Sequence, residues 1–371
     1  MRSKMYISTV FISFCSIVCF SQRYFYVSDA GNFQQGPYQI LRYNSDGSGG
    51  KVFIKDNLAW PQDILFLENQ KVVLVSNLST NSIEKYDANT GEYMSNFTGN
   101  VQGATRMKIG KDGLLYVLQW NGDNKVMRFD LNGNFIDNFT QTGVVTSIGL
   151  DWDKNGILYI SSYNGKFVER FDKQGKSLGK FISTGLAGPT NIHFLDNGHL
   201  LVLDYNSGII KRYDESGNFI QNIVTGVLQC EGINFLTDGS FAIGVGSTSS
   251  VNQYDEAGNF IKQLVPNKSN NLLNPNAVIW RDISSKVDDE QKVEKFNFLH
   301  VESGKTISLI RHEQTSMIDT VNIFDMNSKL VLSQDLKINP TINAINWPKG
   351  IYFAKASLLN HRTITQEIVI Y

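Results

Sequence analysis

An aromatic residue followed by Asp or Asn recurs at Tyr43-Asn44, Tyr86-Asp87, Phe129-Asp130, Phe171-Asp172, Tyr213-Asp214 and Tyr254-Asp255, with successive spacings of 43, 43, 42, 42 and 41 residues. So even a period constrains the fold more than any other feature, because each copy must be one structural unit packed on its neighbours. The clearest unit, residues 188–224, breaks into four apolar runs at 191–194, 199–203, 209–213 and 219–224. Asp196-Asn197-Gly198 separates the first two, and Asp214-Glu215-Ser216-Gly217 the last two. Glycine supplies the positive φ that such tight hairpins need. A helical solenoid of the same period is excluded, since the runs are short, β-branched and aromatic, with no helical periodicity. Four antiparallel strands in each of six units predict an all-β chain built around a six-bladed β-propeller over residues 22–282.

The ends of the ring are legible too. The first unit starts directly at its second strand, Tyr24-Phe25-Tyr26-Val27-Ser28, and lacks an innermost one. A spare strand with the wording of other first strands, Asn274-Pro275-Asn276-Ala277-Val278-Ile279-Trp280, follows the sixth unit. Residues 274–282 are therefore expected to complete the first blade and remove the open edges.

Composition narrows the function. The 34 Lys+Arg against 35 Asp+Glu leave a net charge of −1, which argues against a protein that grips nucleic-acid phosphates or an anionic membrane. Residues 1–21 read as an export signal: Arg2 and Lys4 lead an apolar stretch from Tyr6 to Phe20, with cleavage expected before Gln22. That stretch is short for a membrane span; a lipoprotein acylated at Cys19 is the other reading. No later run is long enough to span. After cleavage Cys230 alone remains, so no intramolecular disulfide forms, and the residue reads as a small core side chain. A secreted or surface location is expected.

The wording of each unit resembles NHL repeats: Gly-Pro-x-x-Ile, then Asp-Gly-x-Leu-x-Val, then Ile-x-Arg-Tyr-Asp-x-x-Gly-Asn-Phe. The resemblance implies the propeller fold and leaves function open. Residues 283–295 are polar and read as a linker. Residues 296–371 alternate seven further strands, the arithmetic of a small Ig-like β-sandwich. The tail, with Gly350-Ile351-Tyr352, Lys355 and a terminal Glu367-Ile368-Val369-Ile370-Tyr371, resembles the type A C-terminal sorting domain of the Bacteroidetes type IX secretion system. That resemblance implies export through Sec and then the type IX machinery; an adhesive Ig-like sandwich is the alternative.

Within the ring, the hairpins at Gly113, Gly156, Gly198 and Gly239 and those at Gly91, Gly133, Gly175, Gly217 and Gly258 share one rim, which reads as scaffold. Loops between second and third strands vary and share the opposite rim, where binding residues usually sit. They, and the connection before each blade, carry Phe33, Tyr38, Trp60, Trp120, Tyr163 and Tyr205, aromatics suited to stacking on sugars or gripping a peptide. At the starts of the innermost strands one ring aligns as Gln62, Thr105, Thr146, Thr190, Glu231 and Asn276. A second aligns as Asp63, Arg106, Ser147, Asn191, Gly232 and Ala277. Asp63, Arg106 and Asn191 join the aromatics as rim candidates. The fold also resembles the gluconolactonase/SMP-30 group of propellers, which implies a divalent cation such as calcium at Gln62, Glu231 and Asn276. Thr146 and Thr190 stand where further Asn or Asp ligands would be wanted. His193 and His199 read as structural. No Gly-x-Ser-x-Gly, Cys/His grouping or phosphate loop is present. The favoured reading is a monomeric, non-catalytic module for an extracellular protein, peptide or glycan, with no nucleic-acid partner; the alternative is a metal-dependent lactonase or lyase.

Overall fold

The computed structural model describes residues 22–283, 299–301, 306–309, 318–325, 329–335, 341–358 and 363–370. The export signal and segment 284–295 lie outside the described residues. The chain divides into two compact units, residues 1–285 and 286–371.

Unit one is a ring of six four-stranded antiparallel sheets, here blades I to VI. Their innermost strands are Pro275–Ile283, Pro61–Leu67, Ala104–Ile109, Ser147–Trp152, Pro189–Phe194 and Cys230–Phe235. Pro275–Ile283 pairs with Gln22–Asp29 from Gln22↔Ile283 to Asp29↔Pro275, so the last strand of the ring completes the first blade. Ile283 therefore belongs to this strand and not to the linker. Asp29 latches the join: its carboxylate accepts from the amides of Asn274 (2.8 Å) and Gly31 (3.1 Å) and from Gln39 Nε2 (3.0 Å).

The repeat works as a packing device. Tyr43, Tyr86, Phe129, Phe171, Tyr213 and Tyr254 lie last or next to last in the third strands and are all buried. The Asp after each of the later ones caps its turn; Asp130 Oδ1, for example, accepts from the amides of Asn132 (2.8 Å) and Asn134 (2.9 Å). Every blade interface has its own apolar cluster, including the one that joins blade VI to blade I through Phe25, Leu41, Ala242, Val251 and Val278. The turn between third and fourth strands presses on the preceding blade. A Cβ at Gly133 (φ +90°) would lie 1.9 Å from the carbonyl oxygen of Phe97, and one at Gly175 (φ +72°) 1.8 Å from that of Phe139. The same approach recurs at Gly47, Gly91, Gly217 and Gly258, with Gly47 closing the circle against Leu264.

Hydroxyls bridge neighbouring blades around the channel, from a second strand (Ser28, Ser76) or an innermost one (Thr105, Thr190) to a carbonyl on the innermost strand of the next blade. Ser28 donates to Pro61 O (2.8 Å), Ser76 to Thr105 O (2.6 Å), Thr105 to Ser147 O (2.9 Å) and Thr190 to Cys230 O (2.9 Å).

Unit two contains a three-stranded sheet (Leu299–Val301, Thr306–Leu309, Thr341–Asn343) and a four-stranded one (Leu330–Asp335, Ile318–Phe324, Gly350–Leu358, Thr363–Ile370). Both contribute to one core, with Leu299, Ile307 and Ile342 from the first against Val321, Ile323, Tyr352, Ala354 and Ile368 from the second. Among the described residues of both units there is no α-helix.

Candidate functional site

Cross-strand pairing defines which inner-strand residues are equivalent. Ile64↔Val75, Met107↔Val117, Leu150↔Ile160, Ile192↔Val202, Ile233↔Ile243 and Val278↔Val27 occupy one level. The two rings are then Gln62, Thr105, Ile148, Thr190, Glu231, Asn276 and Asp63, Arg106, Gly149, Asn191, Gly232, Ala277. This corrects the alignment in blade IV, where Thr146 and Ser147 stand two residues early. Thr146, at φ +47°, belongs to the connection before the strand. Counting back nine residues from each hairpin glycine, Gly113, Gly156, Gly198 and Gly239, lands on the first residue of each inner strand and would have found the shift.

Gln62, Glu231 and Asn276, the residues at which the resemblance implied a cation, lie together, and a guanidinium lies among them. Arg106 reaches across the channel, with its side chain 5% exposed. Its Nη2 donates to Asn276 O (2.6 Å) and Glu231 Oε1 (3.2 Å), its Nη1 donates to Gln62 O, and Asp63 Oδ1 lies 3.7 Å away. With its amide oriented to satisfy its neighbours, Gln62 donates to Glu231 Oε1 (3.0 Å) and accepts from Trp60 Nε1 (2.8 Å) and Asn276 Nδ2 (2.6 Å). These five residues form a plug. Burial pushes the Glu231 carboxyl up to about 7, Arg106 pulling it down and Asp63 adding to the rise. Burial likewise raises Asp63, against the opposing pull of Arg106.

A divalent cation does not fit these residues, because the Arg106 guanidinium lies among them, holding Glu231 Oε1 and the main-chain oxygens of Gln62 and Asn276, and its positive charge opposes a metal ion at that point. No cluster of three His, Cys, Asp or Glu side chains suited to a metal occurs among the described residues. His193 stacks on Phe235 at 4.2 Å, and its pKa is lowered by burial; His199 Nδ1 accepts from Arg212 Nε (2.9 Å). Cys230 is fully buried, and burial raises its thiol well above the usual range.

Above the plug, on the rim of variable loops, lies a cavity of about 330 Å³. Phe33, Trp60, Trp120, Tyr163 and Tyr205 line it, with Glu231 and Gln62 at its base. Backbone geometry explains the gathering. The amides of Leu78, Trp120, Tyr163 and Tyr205 donate to the carbonyls of Trp60, Gly103, Thr146 and Gly188, so the first loop residue after each second strand takes one position. Blades III, IV and V all place an aromatic there, and the rings run in series: Trp120 to Tyr163 at 5.8 Å and Tyr163 to Tyr205 at 5.8 Å. Phe33 and Trp60 pair at 5.3 Å on the other side. Both hold a left-handed backbone at φ +54°, a costly conformation for a large side chain and one that concentrates at functional sites. The Tyr38 hydroxyl donates to Phe33 O (2.6 Å) and so braces that loop.

Trp60, Trp120, Tyr163 and Tyr205 thus share one bowl. Asp63, Arg106 and Asn191 do not join it. They line a second cavity, of about 380 Å³, deeper in the channel, with Lys108 and His193. The length of the Arg106 side chain, which carries its charge from blade III to the residues of blades I, II and VI, is what the sequence alignment could not express.

In unit two, Gly350-Ile351-Tyr352 opens a strand in which Tyr352 is buried and donates to Pro348 O (2.8 Å), while Ile351 and Lys355 face outward.

Residues 300–371 match the model of the secretion system C-terminal sorting domain family. The tail is a type IX sorting domain, and the chain is destined for secretion or the cell surface, with the secretion machinery as the partner the tail implies. No described helix is long and apolar enough to cross a membrane. Solved structures similar to the chain include one from a nidogen/laminin complex (15% identity, TM-score 0.58, 71% of this chain and 99% of that one). A protein of unknown function from Bacteroides caccae scores likewise (15%, 0.58, 70% and 99%), and a putative gluconolactonase follows (14%, 0.50, 68% and 86%). At such identities the likeness establishes the propeller fold alone. No curated protein matches the chain.

Proposed function

We propose that this protein is an exported binding module whose ligand enters the aromatic bowl on the variable rim of the propeller. One observation carries the reading: three consecutive blades place Trp120, Tyr163 and Tyr205 at one backbone position, around a cavity that ends on a buried carboxylate. Aromatic walls with few convergent polar groups are the usual make-up of a ligand site. The alternative, a metal-dependent lactonase, requires a cation where the Arg106 guanidinium lies, and that placement favours binding over hydrolysis.

The test is a thermal-shift and tryptophan-fluorescence screen of small extracellular metabolites, glycans and peptides against wild type and Trp120→Ala. Ligands that bind wild type should weaken at least tenfold in the variant, through lost ring contact. Hits indifferent to Trp120, or lactone hydrolysis that depends on added calcium or zinc and disappears in Glu231→Ala, would reject the proposal.

A further inference from the structure

We propose that the bowl is a receptor for a compact organic cation, a methylated or quaternary ammonium group, held against the aromatic walls with its charge over Glu231. The inference rests on the binding reading above and names the class of ligand.

The walls supply five rings, and the attraction of a ring face for a soft, weakly hydrated cation is strongest at Trp and Tyr. The floor supplies the charge. Glu231 is faced by Arg106 from blade III, Asp63 and Gln62 from blade II, Asn276 from blade I and the Tyr205 ring from blade V, with the Cys230 thiol beside it on its own strand. Arg106 is the sole cation of that set, against two carboxylates. Arg106 and Gln62 both reach Glu231 Oε1; among the described residues no hydrogen bond ends on Oε2.

A hydroxyl-rich ligand would fare worse. Thr190 donates to Cys230 O, Trp60 Nε1 to Gln62 and the Tyr163 hydroxyl to Asn206 Oδ1, so little polar capacity faces the cavity. A sugar entering it would leave hydroxyls unpaired, which is costly in a buried site. At about 330 Å³ the bowl lies near the lower end of ligand pockets, and suits a small molecule better than a chain.

Because burial raises Glu231 to about 7, a cation beside it draws the proton off. Affinity should therefore climb several-fold from about pH 6 to about pH 8, where the carboxylate fills. Choline and its uncharged isostere dimethylbutanol, which differ in charge at nearly constant shape, make the decisive pair in calorimetry on the full mature chain. Choline should bind saturably and at least tenfold more tightly. Glu231→Gln should remove most of that difference, while Trp120→Ala should weaken both probes. The pH series on wild type gives the same answer without any variant. Equal affinity for the two probes, or a choline affinity flat across that pH range, would overturn the inference. So would neutral saccharides binding in a Trp120-dependent way while choline does not, and that result would leave the binding-module reading standing. If no compound of any class gives a Trp120-dependent signal, both fall.

Discussion

The deeply buried guanidinium of Arg106 is held through its two terminal nitrogens, by Gln62 O, Asn276 O and Glu231 Oε1, while its Nε finds no partner among the described residues. Two carboxylates share that one charge, which has a consequence for pH. Glu231 titrates near 4.5 when unfolded and near 7 when folded, so between these values the folded state holds the extra proton. Stability should fall as pH rises through this window, by up to about 3 kcal/mol. Turn aspartates such as Asp87 and Asp130 are lowered by hydrogen bonds from their turns, so the stability they contribute disappears as pH drops below the usual carboxylate range. Urea midpoints should thus peak near pH 5, and Glu231→Gln should flatten the decline on the alkaline side; an unchanged slope would remove Glu231 as its cause. Of this site, the rim aromatics were legible because loops after second strands can be counted off the repeat. The plug was not, because a ring position says where a Cα lies and nothing of where a long side chain ends.

Blades were legible for a different reason. In these pairs the aromatic is buried at a blade interface and the Asp that follows it, in all but the first, ties a turn, so selection for packing also writes the period into the sequence. Blade IV slipped by two because Thr146 and Ser147 carry hydroxyls like those of the neighbouring strands, and polarity is a weaker guide than distance from a hairpin glycine. The two families of hairpin glycine also differ physically. Gly133 points at the Phe97 carbonyl, whereas a Cβ added at Gly113, also at positive φ (+77°), would meet nothing within 4 Å. Gly113→Ala should cost about 1 kcal/mol, the strain of a left-handed alanine. Gly133→Ala should cost at least about 2 kcal/mol more, since the preceding blade must move. Denaturant melts of the two variants settle the comparison, and equal losses would show that the turn does not couple the blades.

The whole molecule joins a ring that presents a bowl to a tail that directs export. Removing residues 296–371 should leave a folded propeller in the periplasm, detected by fractionation and by its unfolding transition; secretion of the shortened protein would contradict the sorting role. The ring itself depends on a pairing between distant parts of the chain, as Phe25 faces Trp280 across the first blade. Contacts this remote form slowly, after nearly all the intervening chain is in place. Until then Gln22–Asp29 offers a bare edge and Pro275–Ile283 is a strand without a host. Each is the complement of the other in any second copy nearby. The same latch that makes one closed ring therefore permits two chains to exchange strands, and dilution during refolding should decide between the monomer and the swapped pair.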